Sequence, residues 1–235
     1  MILRVIKAEG LKLKKICWWI PLIQGCVLTG MTAVEWYLYF RQGPGGVYAG
    51  FAVMFMFLSF VMLLGGTLLA SIMAGTEHDT QTWKQLMAMP VPRSYIYLSK
   101  IVWIVILQLG TALITVAGMS LIWVLYTNEP IPWRIMLLQP INASLATLPV
   151  LAIQLWLSTL FTNQAFPLAF GIFGSIASLF LARTSILWIK ILPWSYPALS
   201  SPLMKEHMIW VIVALSAGVI FTGLGTLQFT KHEFK

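Results

Sequence analysis

Charge is what this sequence has least of. Only 9% of its 235 residues are Asp, Glu, Lys or Arg and 59% are hydrophobic, whereas soluble domains carry roughly 25% charged residues. That balance excludes a water-soluble globular protein, which must cover its core with polar groups. Cysteine is scarce as well. Cys17 and Cys26 stand nine residues apart in one apolar run, a spacing that suits neither a disulfide framework nor a zinc site, so both are expected to be packing residues.

Nucleotide and metal signatures are missing too. Gly-x-x-x-x-Gly-Lys-Ser/Thr does not occur, so no P-loop can cradle phosphates. There is no HExxH and no CxxC, and His78, His207 and His232 lie scattered at the ends of apolar runs. An intramembrane enzyme would need His, Asp, Glu or Cys clustered at depth, and an ion-driven carrier would need paired charges or broken helices near the midplane. Pro21, Pro149 and Pro167 could break helices, yet no charged partner accompanies them. No catalytic residue, metal site or cofactor of its own is therefore expected.

What is present is a series of long apolar runs: Ile16 to Phe40, Val47 to Ala74, Ile101 to Tyr126, Ala143 to Phe161, Ala165 to Ala182 and Met208 to Phe229. About 20 apolar residues in a helix span a hydrocarbon core about 30 Å thick. The runs are continuously apolar rather than alternating, and a helix satisfies its own backbone in lipid, so helices are expected in place of a β-barrel. The expectation is an all-α polytopic membrane protein, a single transmembrane domain over 1–235 with six transmembrane helices. The first run is too long for a cleavable signal peptide and no small-residue cleavage site follows it, so it should be retained.

The net charge of +8 does not indicate nucleic acid, because the cations flank the runs and form no basic face. Arg4, Lys7, Lys12, Lys14, Lys15, Lys84, Arg93, Lys100, Lys231 and Lys235 fall on one side, against Arg41, Arg134, Arg183, Lys190 and Lys205 on the other. The positive-inside rule then puts the N- and C-termini in the cytoplasm, in agreement with an even number of spans.

Residues 1–15 read either as a basic amphipathic interfacial segment, with Ile2, Val5, Ile6, Leu11 and Leu13 among cations that can meet anionic headgroups, or as an ordinary basic flank. Glu35 is the one acid inside an apolar run. Intramembrane ionisable groups are substrate-site candidates, although the belt aromatics around Glu35 argue for an outer-surface position. Gln42-Gly43-Pro44-Gly45-Gly46 should be a short outer turn, and Asn128 to Asn142 an outer connector. Thr162-Asn163-Gln164 reads as a tight inner turn. Small residues (Gly65 and Gly66, Gly171 and Ser175, Gly218 and Gly225) offer close helix contacts. Residues 183–207, with Trp188, Trp194, Tyr196 and three prolines, suit an external re-entrant or interfacial segment.

The connector between the second and third runs is EHDTQTWKQLMAMPVPRSYIYLSK, Glu77 to Lys100. Thr76-Glu77-His78-Asp79 has the spacing of an N-terminal capping box. Trp83, Leu86, Met87 and Pro90 follow a helical apolar face, and Pro90 and Pro92 stop it. A short cytoplasmic helix within 77–92 is thus expected between the second and third spans.

The run of an acid, Thr82-Trp83-Lys84, Leu86, Pro90-Val91, Arg93 and Lys100 resembles the inner loop of ABC-2 type transporter permeases. The resemblance implies that this loop is a coupling helix seated in a groove of a separate ATPase subunit, with Glu77, Asp79, Thr82, Trp83, Lys84, Leu86 and Met87 as its contacts. Trp83 also has a reading as an interfacial anchor, and Lys84, Arg93 and Lys100 as orienting charges. Within the family, the small size and Leu192-Pro193-Trp194-Ser195-Tyr196-Pro197 are most similar to lantibiotic-immunity and bacitracin-resistance permeases. Gln81 replaces the glycine that many relatives carry before the Thr-Trp pair. The resemblance implies a permease in the bacterial cytoplasmic membrane that exports antimicrobial peptides, pairs with a second permease copy or paralogue, and relies on its partner for ATP and Mg. Alternatives are export of another lipid-like or drug substrate, or a non-transporting sensor or assembly role in an ABC complex.

Overall fold

The computed structural model describes residues 1–43, 45–80 and 90–231. Its elements are helices: α1 (Ile2–Lys12), α2 (Lys15–Glu35), α3 (Ala49–Asp79), α4 (Arg93–Tyr126), α5 (Trp133–Ala146), α6 (Leu148–Leu160), α7 (Ala165–Leu181), two short helices α8 (Leu187–Lys190) and α9 (Tyr196–Leu199), and α10 (His207–Lys231). α2 continues through a π-helical turn, Trp36–Phe40. Among the described residues, five helical stretches are long and apolar enough to cross a membrane: Lys15–Phe40, Gly46–Asp79, Arg93–Tyr126, Trp133–Leu160 and His207–Lys231. The remaining expected run forms the shorter apolar helix α7, of 17 residues.

Three expectations need correcting. The helix begun by a Thr76 cap is not there, because α3 runs unbroken to Asp79, and the Thr76 hydroxyl donates back to the Ile72 carbonyl at 2.6 Å. Glu77 and Asp79 therefore sit in a last helical turn, where the dipole disfavours acids, not in a first turn where it favours them. The outer connector 128–142 is much shorter than expected. α5 starts at Trp133, right after Pro132, and the fourth span reaches Leu160 with an interruption at Thr147. Pro149, on the α6 side of that interruption, has no amide to give the Leu145 carbonyl. Lastly, Cys17 is buried but Cys26 is exposed, so only the first is a packing residue.

α3 is the axis of the bundle, packed against α2, α4, α5, α6 and α7, while α1 lies against α4. One apolar cluster joins Cys17, Ile20, Leu69, Met73, Tyr97, Ile101, Ile104, Leu151 and Phe229. A second joins Leu28, Phe51, Met54, Leu58, Met62, Val116, Met119 and Trp123. Between them on α2, α3 and α4 lies a layer of neutral amides. Gln24 Nε2 donates to the Val61 carbonyl at 2.7 Å, Gln108 Nε2 to the Met62 carbonyl at 2.6 Å, and Thr111 Oγ1 to Gln24 Oε1 at 3.1 Å. Gly65 makes this layer possible, because a methyl there would overlap the Gln24 carboxamide.

α7 docks through its small residues, as expected from Gly171. A side chain at Gly171 would collide with Thr67 of α3, and one at Gly174 with the Trp194 indole. Tyr196 to Leu199 are buried, so part of 183–207 enters the protein instead of lying free.

Candidate functional site

α1 is amphipathic, and the face it turns to α4 carries Val5, Ile6 and Glu9. The Trp103 indole of α4 donates to the Ile6 carbonyl at 2.7 Å, and Gly10 leaves the room that ring occupies. This seating carries Glu9 inward until it is 5% exposed.

There it meets two other buried charges. Lys100 of α4 is 1% exposed and Glu77 of α3 is 5% exposed. The Lys100 ammonium donates to Glu9 Oε1 at 2.5 Å and lies 2.9 Å from Glu77 Oε1. Lys12, with a side chain 46% exposed, stands at the rim, 3.5 Å from Glu9 Oε2 and 3.9 Å from Glu77 Oε1. Burying an ion costs several kcal/mol that only close pairing repays. Two carboxylates and one ammonium would leave a net negative charge, and Lys12 neutralises it from the edge. One amphipathic helix and two long helices are thereby fixed to each other where the 80–92 connector leaves and returns.

Other contacts gather at the same end. Arg93 Nη1 donates to the Thr230 carbonyl at 3.2 Å, which brings the last turn of α10 there. His78 Nε2 lies 3.2 Å from the Ser158 carbonyl, and Gln164 bridges Ser71 (3.1 Å) and the Phe161 carbonyl (2.7 Å). α1, the end of α3, the start of α4, the 162–164 turn and the end of α10 therefore share what we call the basic end.

The opposite end is aromatic. The Trp36 indole donates to the Gly46 carbonyl at 3.1 Å, and Trp36 and Tyr37 meet Tyr126 edge-on at 6.4 and 6.0 Å. Tyr48 and Phe51 pack on Trp123 at 5.4 and 5.5 Å, and the Arg41 guanidinium sits 5.2 Å above the Tyr37 ring. A cavity of about 290 Å³ opens between Val34, Tyr37, Leu38, Ile122 and Tyr126. Glu35 is half-buried at this end of α2, a whole span away from the ion cluster.

Of the residues expected to touch an ATPase, Asp79 is exposed at the end of α3, and Glu77 is buried with Lys100 and Glu9. Thr82, Trp83, Lys84, Leu86 and Met87 lie outside the described residues. Lys100 is not an orienting surface charge, since both its neighbours and its burial place it inside the protein. Glu9 was missed altogether. The signal was its position as the sole acid among the N-terminal cations, three residues before Lys12.

The architecture defines a polytopic helical membrane protein with a buried ion cluster at one end. The sequence profile of the ABC-2 family transporter proteins matches residues 5–178. The chain belongs to that family and is a membrane permease subunit of an ABC transporter, a transport component that works with an ABC ATPase. No curated protein matches the chain.

Proposed function

We propose that this permease is half of the membrane domain of an ATP-driven exporter in the bacterial cytoplasmic membrane, with the basic end in the cytoplasm. Ala165–Leu181 serves as the sixth span: 17 helical residues rise about 26 Å, near the thickness of the hydrocarbon core. The second half is another copy or a paralogue. Asp79, Thr82, Trp83, Lys84, Leu86 and Met87 form the contact with the ATPase, which supplies ATP and Mg. Glu77 holds the root of that contact instead of touching the partner.

The observation that carries this reading is the Glu9–Lys100–Glu77 cluster at the root of the connector. A push on 80–92 displaces α3 and α4 together and takes α1 with them, because separating any pair would strand a buried charge. The cargo is an antimicrobial peptide of the lantibiotic or bacitracin kind, which the apolar bundle surface suits better than a small hydrophilic solute. A second reading, a lipid-like or drug substrate, is favoured by the aromatic cavity near Tyr37 and Tyr126.

The test is capture of the tagged full chain from membranes with its ATPase. Asp79→Ala combined with Trp83→Ala should lower capture at least tenfold while the permease stays folded. Undiminished capture removes the contact assignment. Deleting the chain and titrating lantibiotics, bacitracin and unrelated drugs tests the cargo, and unchanged sensitivity to every peptide sinks the immunity reading.

A further inference from the structure

Beside the ion cluster is a cavity of about 330 Å³ lined by Met1, Arg4, Val5, Ala8, Glu9, Lys12, Val91 and Ile96. Its composition is divided. Val5, Ala8, Val91 and Ile96 give it an apolar floor between α1 and the start of α4, and Arg4 and Lys12 stand exposed on the same face of α1, two helical turns apart. The acid in the lining, Glu9, is already held by Lys100 at 2.5 Å. Lys12 is held only loosely, at 3.5 and 3.9 Å, so it can turn outward to a new anion.

We propose that this cavity is a specific site for an anionic phospholipid of the leaflet at the basic end, its phosphate between Arg4 and Lys12 and the upper part of an acyl chain along Val5, Ala8, Val91 and Ile96. Charge complementarity selects the occupant. A cationic lipid is repelled by Arg4 and Lys12, a zwitterionic one brings them no net charge, and a free phosphate has no use for the apolar floor. α1 is also at the right level: Leu3 and Leu11 are exposed on a helix that carries Arg4, Lys7 and Lys12, the pattern of a helix lying in the interface. Because Lys12 serves both the site and the rim of the ion cluster, a bound lipid would bear directly on the joint that holds α1. The site stands on these residues whether or not the transport reading above holds.

The experiment is native mass spectrometry of the full-length chain, extracted with phosphatidylglycerol or phosphatidylcholine added at matched concentrations. The wild type should retain one phosphatidylglycerol in preference to phosphatidylcholine, and inorganic phosphate should not displace it. Arg4→Ala should weaken retention about fivefold, the effect of one cation beside an anionic headgroup. Ala8→Trp, which fills the cavity and leaves every charge in place, should abolish it. Lys7→Ala, which removes a cation outside the lining, should leave retention as it was. The proposal is overturned if Arg4→Ala and Ala8→Trp bind phosphatidylglycerol like the wild type, or if Lys7→Ala weakens retention as much as Arg4→Ala. It is likewise overturned if the variants alter only capture of the ATPase, which would give the cavity to a protein partner. Monodisperse elution of each variant separates loss of the site from loss of the fold.

Discussion

The two ends of the α3–α4 pair are joined by different chemistry. At the basic end the joint is three buried charges from three helices, Glu9, Glu77 and Lys100. At the aromatic end it is a set of edge-on ring contacts among Trp36, Tyr37, Tyr48, Trp123 and Tyr126. Buried ions make a discrete joint. They are either paired or unpaired, and the unpaired state costs several kcal/mol. Rings tolerate sliding, since each contact contributes only about 0.5–1.5 kcal/mol and has several acceptable geometries. The basic end is thus suited to transmit a displacement intact, and the aromatic end to change shape in response.

The largest effect should come from Lys100→Met, which strands two buried carboxylates. It should lower the unfolding free energy of the solubilised chain by about 3–5 kcal/mol, read from its thermal midpoint, and Glu9→Gln with Glu77→Gln on top should recover most of the loss. A Lys100→Met chain that melts with the wild type would erase the contrast between the ends. Next comes the amide layer. Gly65→Ala should cost about 1–3 kcal/mol through overpacking against Gln24, and Gln24→Ala in the same chain should return part of it. That coupling is read from a double-mutant cycle of melting temperatures.

Tyr126→Ala should cost about 0.5–1.5 kcal/mol. Its effect should add simply to that of Lys100→Met, as expected for ends that do not touch. The smallest effect should be Gln108→Leu, at about 0.6 kcal/mol, the typical worth of one interhelical hydrogen bond in a membrane. If Gln108→Leu rivals Lys100→Met, the polar layer and not the ion cluster holds the helices together.

How much of this was legible depended on the kind of signal. Helical spans follow from apolar runs and backbone satisfaction alone, so Lys15–Phe40 and Gly46–Asp79 emerged nearly as expected. The Thr76 cap was misread because Thr-x-x-Asp spacing is local, while the apolar face running through Met73 and Ala74 kept the helix going. The ion cluster was invisible for a different reason. Its members are 68 and 91 residues from Glu9 in sequence, and nothing local marks a lysine such as Lys100 as buried rather than orienting. Gln24 and Gln108 were passed over because an uncharged amide barely dents an apolar run, although in lipid each must find a carbonyl.

The ion cluster also sets an order of events in the making of the protein. Glu9 leaves the ribosome 91 residues before Lys100, an interval of about 5–20 s at ordinary rates of synthesis. Until then α1 has no ammonium to meet on α4 and no Trp103 to rest against. Its own cations keep it at the membrane surface in the meantime. α1 is therefore seated against its partners only after α4 has been synthesised.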